Sequence, residues 1–327
     1  MKFSNLIKYA IVTVAMVLST NLVNDTSAQN ASSIEELMRE DVIAVAAADL
    51  AKVDLVKVLK WSSETGIVST EEAADIRIQL RAAQGVIGGL IDSGVERVSV
   101  LLRVHDLETY NPIWVASING KKDVDQAADA LKSVIAMLPI PPQVVQVQGN
   151  QIIGGPSQEA LDVFLASDRS TARQLSSGLA TLDRYTAGVL VTGSTQTRRA
   201  VRELFPSLPQ PFEEASGELF ADQADWGGLF IDLPPEIDLK VICQTTDNQS
   251  AEALGRLVIA TTRYIAKNNS AKMSELFEES NLAKVNKEVT DNQVVVDYQA
   301  VLADPKFIEK VVSSFKDLSK PEQQESN

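Results

Sequence analysis

IDLKVICQTTDNQSAEALGRLVIATTRYI, residues Ile237 to Ile265, is the stretch on which the fold turns. An apolar run, Leu239 to Cys243, meets a polar turn, Thr245 to Gln249. After it Ala251, Leu254, Val258 and Ile265 recur with the spacing of one helical face. This is a strand feeding a helix. Much earlier, Ile113 to Leu138 (IWVASINGKKDVDQAADALKSVIAML) repeats the pattern, and Ala128-Asp129-Ala130-Leu131 lines up with Ala251-Glu252-Ala253-Leu254. The chain is therefore expected to be internally duplicated. Neither copy carries the spaced His, Cys, Ser or carboxylate set that chemistry needs, so the duplication speaks to architecture and not to activity.

Outward from these two stretches, each half reads in the same order. In the first, Val42 to Ala48 (VIAVAAA) is a strand whose small residues imply that something packs closely on it. Asp54 to Trp61 is a short helix, and Ser69-Thr70-Glu71-Glu72 is a capping box opening a longer one that stops at Gly94. Strands follow at Val98 to Val104 and Ile113 to Ile118, then the helix Asp123 to Leu138. Val144 to Gln148 and Gln151 to Gly154 flank Gly149-Asn150 as a hairpin, and Ser157 caps a helix through Leu165. In the second half, Ala187 to Thr192 is a strand, Gln196 to Phe205 a helix, and Trp226 to Asp232 and Leu239 to Cys243 are strands. The long helix then leads to a further helical segment, Ser270 to Glu279, a hairpin about Asp291-Asn292 and a last helix, Phe307 to Phe315.

The expectation is an α+β protein of two tandem β-α-β-β-α-β units. Each would be of the ferredoxin-like, split β-α-β kind, with helices covering one face of antiparallel sheets. The first unit would span residues 29–168 and the second 187–315, with a linker at 169–186 and a polar, disordered tail at 316–327.

The N-terminus carries Lys2 and Lys8, an apolar stretch Leu6 to Leu18 and a small-x-small site at Thr26-Ser27-Ala28, the pattern of a cleaved signal peptide over residues 1–28. The apolar run is short of the ~20 residues of a membrane span. A secreted or periplasmic protein is expected, with no membrane span after cleavage. Its net charge is −14, and loss of Lys2, Lys8 and Asp25 leaves −15. Acidity of that size repels phosphate backbones, which speaks against nucleic-acid binding. The single Cys243 forms no internal disulfide, so the core alone must hold the fold.

Several features together resemble a known group: the strand with Asp49-Leu50 after Val42, the Leu208-to-Pro211 LPxP segment, the Trp226-led strand ending in Leu233-Pro234-Pro235, and the Ala-Glu-Ala-Leu helix. With these the chain resembles the uncharacterised exported proteins of planctomycete-type bacteria. The resemblance implies an envelope or extracellular location and carries over no activity.

Candidate chemistry is sparse. His105, the only histidine, is followed by Asp106 at the end of an expected strand, which makes a His–carboxylate pair conceivable. No G-x-S-x-G elbow supplies a nucleophile, and a plain loop histidine is the competing reading. One His and one Cys exclude the usual zinc site. Asp222 and Asp225, with Glu213, Glu214 and Glu218, form an acidic loop. It could hold calcium through oxygen ligands or serve as a carboxylate pair, against the reading of a solvated loop. No cofactor is expected. The inventory favours an exported non-catalytic binding or structural protein whose partner is another envelope or extracellular protein. The alternative is a hydrolase or small-ligand binder with a site in the cleft between the repeats.

Overall fold

A computed structural model describes residues 34–64, 77, 84–106, 111–120, 122–135, 142–204, 219–233, 237–269, 283–304 and 307. The expected leader at 1–28, the capping box Ser69 to Glu72, the Leu208-to-Pro211 segment, Glu213, Glu214 and Glu218, the expected helical segment Ser270 to Glu279, the expected last helix beyond Phe307 and the 316–327 tail lie outside these residues.

Among the described residues, ten strands form one antiparallel sheet: β1 (Val42–Asp49), β2 (Val95–Arg103), β3 (Ile113–Ile118), β4 (Val144–Gln148), β5 (Gln151–Gly155), β6 (Ala187–Thr192), β7 (Ala224–Asp232), β8 (Asp238–Thr245), β9 (Asn286–Thr290) and β10 (Gln293–Asp297). Their order across the sheet is 4-5-3-2-1-6-7-8-10-9. Read outward from the β1–β6 pair, the order is 1-2-3-5-4 one way and 6-7-8-10-9 the other.

This departs from the expected architecture in two respects. The two halves share a single sheet, because β1 and β6 pair antiparallel from Ala44↔Val191 to Ala48↔Ala187. The halves also lack the split β-α-β arrangement, in which a third strand lies between the two that flank a helix. Here β1 and β2 are direct antiparallel neighbours. On its far side β2 pairs antiparallel with β3.

Among the described residues, seven α-helices join or cover the strands: α1 (Leu55–Glu64), α2 (Val124–Ile135), α3 (Gln158–Ala166), α4 (Leu175–Arg184), α5 (Thr195–Leu204), α6 (Asn248–Asn269) and α7 (Gln299–Leu302). Residues 84–92 are also helical. Helices cover both faces of the sheet rather than the one expected, because the strands are apolar on both sides. On β3, Val115 packs into one core and Ala116 into another; on β5, Ile153 and Ile152 do the same.

On the first face, α3 and α4 bring Leu161, Phe164, Leu175, Leu179 and Leu182 onto Val45, Leu190, Trp226 and Phe230. α4 occupies the stretch 169–186 that reads as a linker. Its leucines recur at +4 and +3, so they share one face and bury it. Gly228 lies beneath Phe230: a Cβ there would stand 2.5 Å from the ring, so only glycine lets the phenylalanine fold over the strand.

On the second face, the helical residues 84–92 and α2 set Leu90, Ala127, Ala128 and Leu131 against Val95, Ala116, Ile118 and Ile152. α6 sets Ala251 and Leu254 against Cys243, Val294 and Val296. The turns obey their residues. Asp291 and Asn292 take φ of 50° and 61°, and Gly149 takes 59°, the left-handed region that two-residue hairpins require. Ser157 Oγ accepts the N–H of Ala160 and caps α3.

Candidate functional site

Among the described residues, α2 with residues 84–92 and α6 pack on the second face, and the middle of the sheet lies between them. Strand register lays a row across it: Val100, Ala46, Val189, Leu229 and Val241, on β2, β1, β6, β7 and β8. The neighbouring row toward one end is Leu102, Ala44, Val191, Gly227 and Cys243. The row toward the other end is Val98, Ala48, Ala187, Ile231 and Leu239. Every position is apolar.

Along β1 and β6 the floor is alanine and valine, with Ala48 and Ala187 fully buried at one end. Ala44, Ala46, Val189, Val191 and Ile231 are half-buried. Leu229 is 43% exposed, on a strand whose opposite face carries the fully buried Trp226 and Phe230. A large aliphatic side chain in the middle of a ten-stranded sheet is ordinarily covered. Among the described residues this makes a partly open apolar trough between α2 with residues 84–92 and α6. Strand alternation in Val98, Val100 and Leu102 made one side of β2 legible in sequence. The trough itself needs the β1–β6 and β6–β7 pairings, which no local pattern encodes.

The residues singled out by their chemistry lie elsewhere. His105 is exposed just past the end of β2. Asp106 is fully buried and receives three bonds from Arg103: backbone N–H at 3.1 Å, Nε at 2.9 Å and Nη2 at 2.8 Å. That carboxylate holds the β2 terminus in place. Behind it, two guanidiniums stand over the Phe164 ring, Arg103 at 5.9 Å and Arg39 at 5.6 Å from its centroid. Arg39 in turn donates to the carbonyls of Phe164, Glu36 and Leu165, the last turn of α3 among them. Asp41, next to this cluster, keeps one buried oxygen without a hydrogen-bond partner, and burial pushes its pKa up.

Asp222 and Asp225 are not brought together as a ligand set. Asp222 is exposed and pairs with Arg202. Asp225 is 3% exposed, with Oδ1 3.9 Å from Arg198 Nη2, and burial raises its pKa. Arg198 spends its guanidinium on the carbonyls of Gly193, Ala221 and Ala224, tying the start of α5 to the start of β7. Among the described residues no group of three or more His, Cys, Asp or Glu is spaced to hold a metal ion. Cys243 is buried under α6, which pushes its thiol up to about 12.

No helix among the described residues is long and apolar enough to cross a membrane. Compared with protein-family models, the chain matches none; no curated protein and no solved structure matches it either.

Proposed function

We propose that this chain is an exported, non-catalytic binding protein that holds an apolar partner surface in the trough over β1, β6 and β7. The observation that carries the reading is Leu229, open in the middle of a floor made entirely of apolar side chains. Apolar area left open on a folded surface is favourable to cover, at about 25 cal/mol per Å². The trough lies across the β1–β6 pair, so it occupies the junction of the two halves where duplicated folds commonly bind.

The same reading takes the chain as a tandem duplication. Its support is the mirrored strand order on either side of β1 and β6, together with the equivalent places of α2 and α6, each between the third and fourth strands of its half. The leader-like residues 1–28 and the resemblance to exported envelope proteins support a secreted or periplasmic location. N-terminal sequencing of the secreted chain is expected to begin at Gln29; an intact Met1 from the cytoplasm overturns that part. The alternative, a hydrolase or small-ligand binder at the junction, meets an aliphatic floor there, which suits an apolar ligand and offers no nucleophile.

The test is titration with the apolar fluorophore 1-anilinonaphthalene-8-sulfonate. Wild type is expected to bind it, and Leu229→Asp or Val189→Asp to weaken binding about tenfold or more, since burying a charge in the floor is costly. The reading fails if wild type leaves the dye unbound, or if both variants bind it as wild type does.

A further inference from the structure

The strand order ends on two edges, β4 and β9, and they differ in kind. β9 (NKEVT) sets Lys287 and Glu288 on its edge, the charged protection that exposed strands ordinarily carry. β4 (VVQVQ) has none, and its Val147 is 43% exposed. It lies in the longest uncharged run of the chain, the 26 residues from Ser133 to Gln158, in a protein of net charge −14. Two copies of so acidic a chain repel one another, so the neutral β4 edge is where they can approach.

The hairpin sets which backbone groups this edge offers. Gly149 and Asn150 form a two-residue turn, and the flanking Gln148 and Gln151 are the hydrogen-bonded pair such a turn closes. Bonds then alternate, so Gln146 bonds Ile153, while the N–H and C=O groups of Val145 and Val147 point away from β5. β5 agrees: Ile152 and Gly154 are the residues left to face β3. Among the described residues β4 has no strand on its outer side.

We infer that β4 pairs antiparallel with β4 of a second copy about a two-fold axis at Gln146. In that register Val145 lies opposite Val147 of the other copy and the reverse, two hydrogen-bonded pairs that use all the outward backbone groups of those valines. Gln146 then faces its own counterpart as the non-hydrogen-bonded pair, where side chains stand closest. The sheet thereby continues from one chain into the next, independently of what occupies the trough.

Sedimentation velocity of the purified chain at micromolar concentration is expected to give a dimer. Val147→Lys introduces a charge at an already exposed position and is expected to raise the dissociation constant about tenfold or more with an unchanged melting curve. Gln146→Cys tests the register. A non-hydrogen-bonded pair sets its Cα atoms about 4.5 Å apart, within disulfide reach, so this variant is expected to oxidise to a covalent dimer. The buried Cys243 does not compete. Val163→Cys, exposed on α3, is the control. A monomeric wild type, a Val147→Lys chain that dimerises as wild type does, or a Gln146→Cys chain that cross-links no faster than the control overturns the inference.

Discussion

Arg103 closes on Asp106 with three hydrogen bonds while both side chains are almost fully buried, so the last residue of β2 and the turn after it are held by one charge pair. Removing one member of a buried pair strands the other, at a cost of ~3–5 kcal/mol. Asp106→Ala is expected to lose that much in a urea titration. His105→Ala, one residue away and exposed, is expected to stay within ~0.5 kcal/mol. If His105→Ala also abolished a substrate or ligand signal while folded, the non-catalytic reading would fall.

Leu131 on α2 and Leu254 on α6 are buried against opposite halves of the second face. Leu→Ala at either site is expected to cost ~2–5 kcal/mol through lost transfer energy and the cavity left behind. Equal, large drops in Tm for the two variants would match their equivalent places. No change in either would contradict the packing.

Burial raises the carboxyl pKa of Asp41 and of Asp225 above the ordinary 3.8, and each keeps an oxygen with no hydrogen-bond partner. A raised folded-state pKa means that the folded chain binds the proton more tightly than the unfolded one. The resulting stability is fully present below 3.8 and is lost as pH rises through the raised value. Asp41→Asn and Asp225→Asn remove that loss. Their Tm relative to wild type is therefore expected to improve as pH rises above the ordinary carboxyl value of 3.8. A difference independent of pH would show that neither carboxyl titrates abnormally.

Cys243 lies under α6 with its thiol pushed up to about 12, so thiolate is scarce at neutral pH. A maleimide is expected to leave the native chain unmodified and to label it once urea unfolds it. Rapid native labelling would mean that α6 opens readily from the sheet.

Gly193 packs where a Cβ would stand 2.3 Å from the Asp225 carbonyl oxygen, backbone that has no room to yield. Gly193→Ala is expected to cost ~1–3 kcal/mol, the range for overpacking, read as a lowered urea midpoint with unchanged slope.

Most of the elements were legible because their signals are local. Ile113–Ile118, Val144–Gln148 and Ala187–Thr192 are apolar runs between turn residues, and the structure has strands at those bounds. On α2, Ala128 and Leu131, three residues apart and so on one helical face, are both buried against the sheet. α4 was harder to read, since serines and threonines dilute its leucines. Only when β6 and β7 lie beneath them do Leu175, Leu179 and Leu182 become a core face.

The amino-acid sequence by itself determined the order of the strands and of most helices, though not α4, together with the turns at Gly149-Asn150 and Asp291-Asn292 and an acidic chain with one histidine and one cysteine. Each depends on neighbours a few residues away or on composition. Tertiary structure alone decided that β1 pairs with both β2 and β6, that one sheet serves both halves, and that Ala46, Val189 and Leu229 become adjacent. Apolar alternation marks a strand as buried on a face, but backbone N–H and C=O groups are the same in every residue. Which strand they bond is set by how the whole sheet buries its side chains, and the trough exists only once that choice is made.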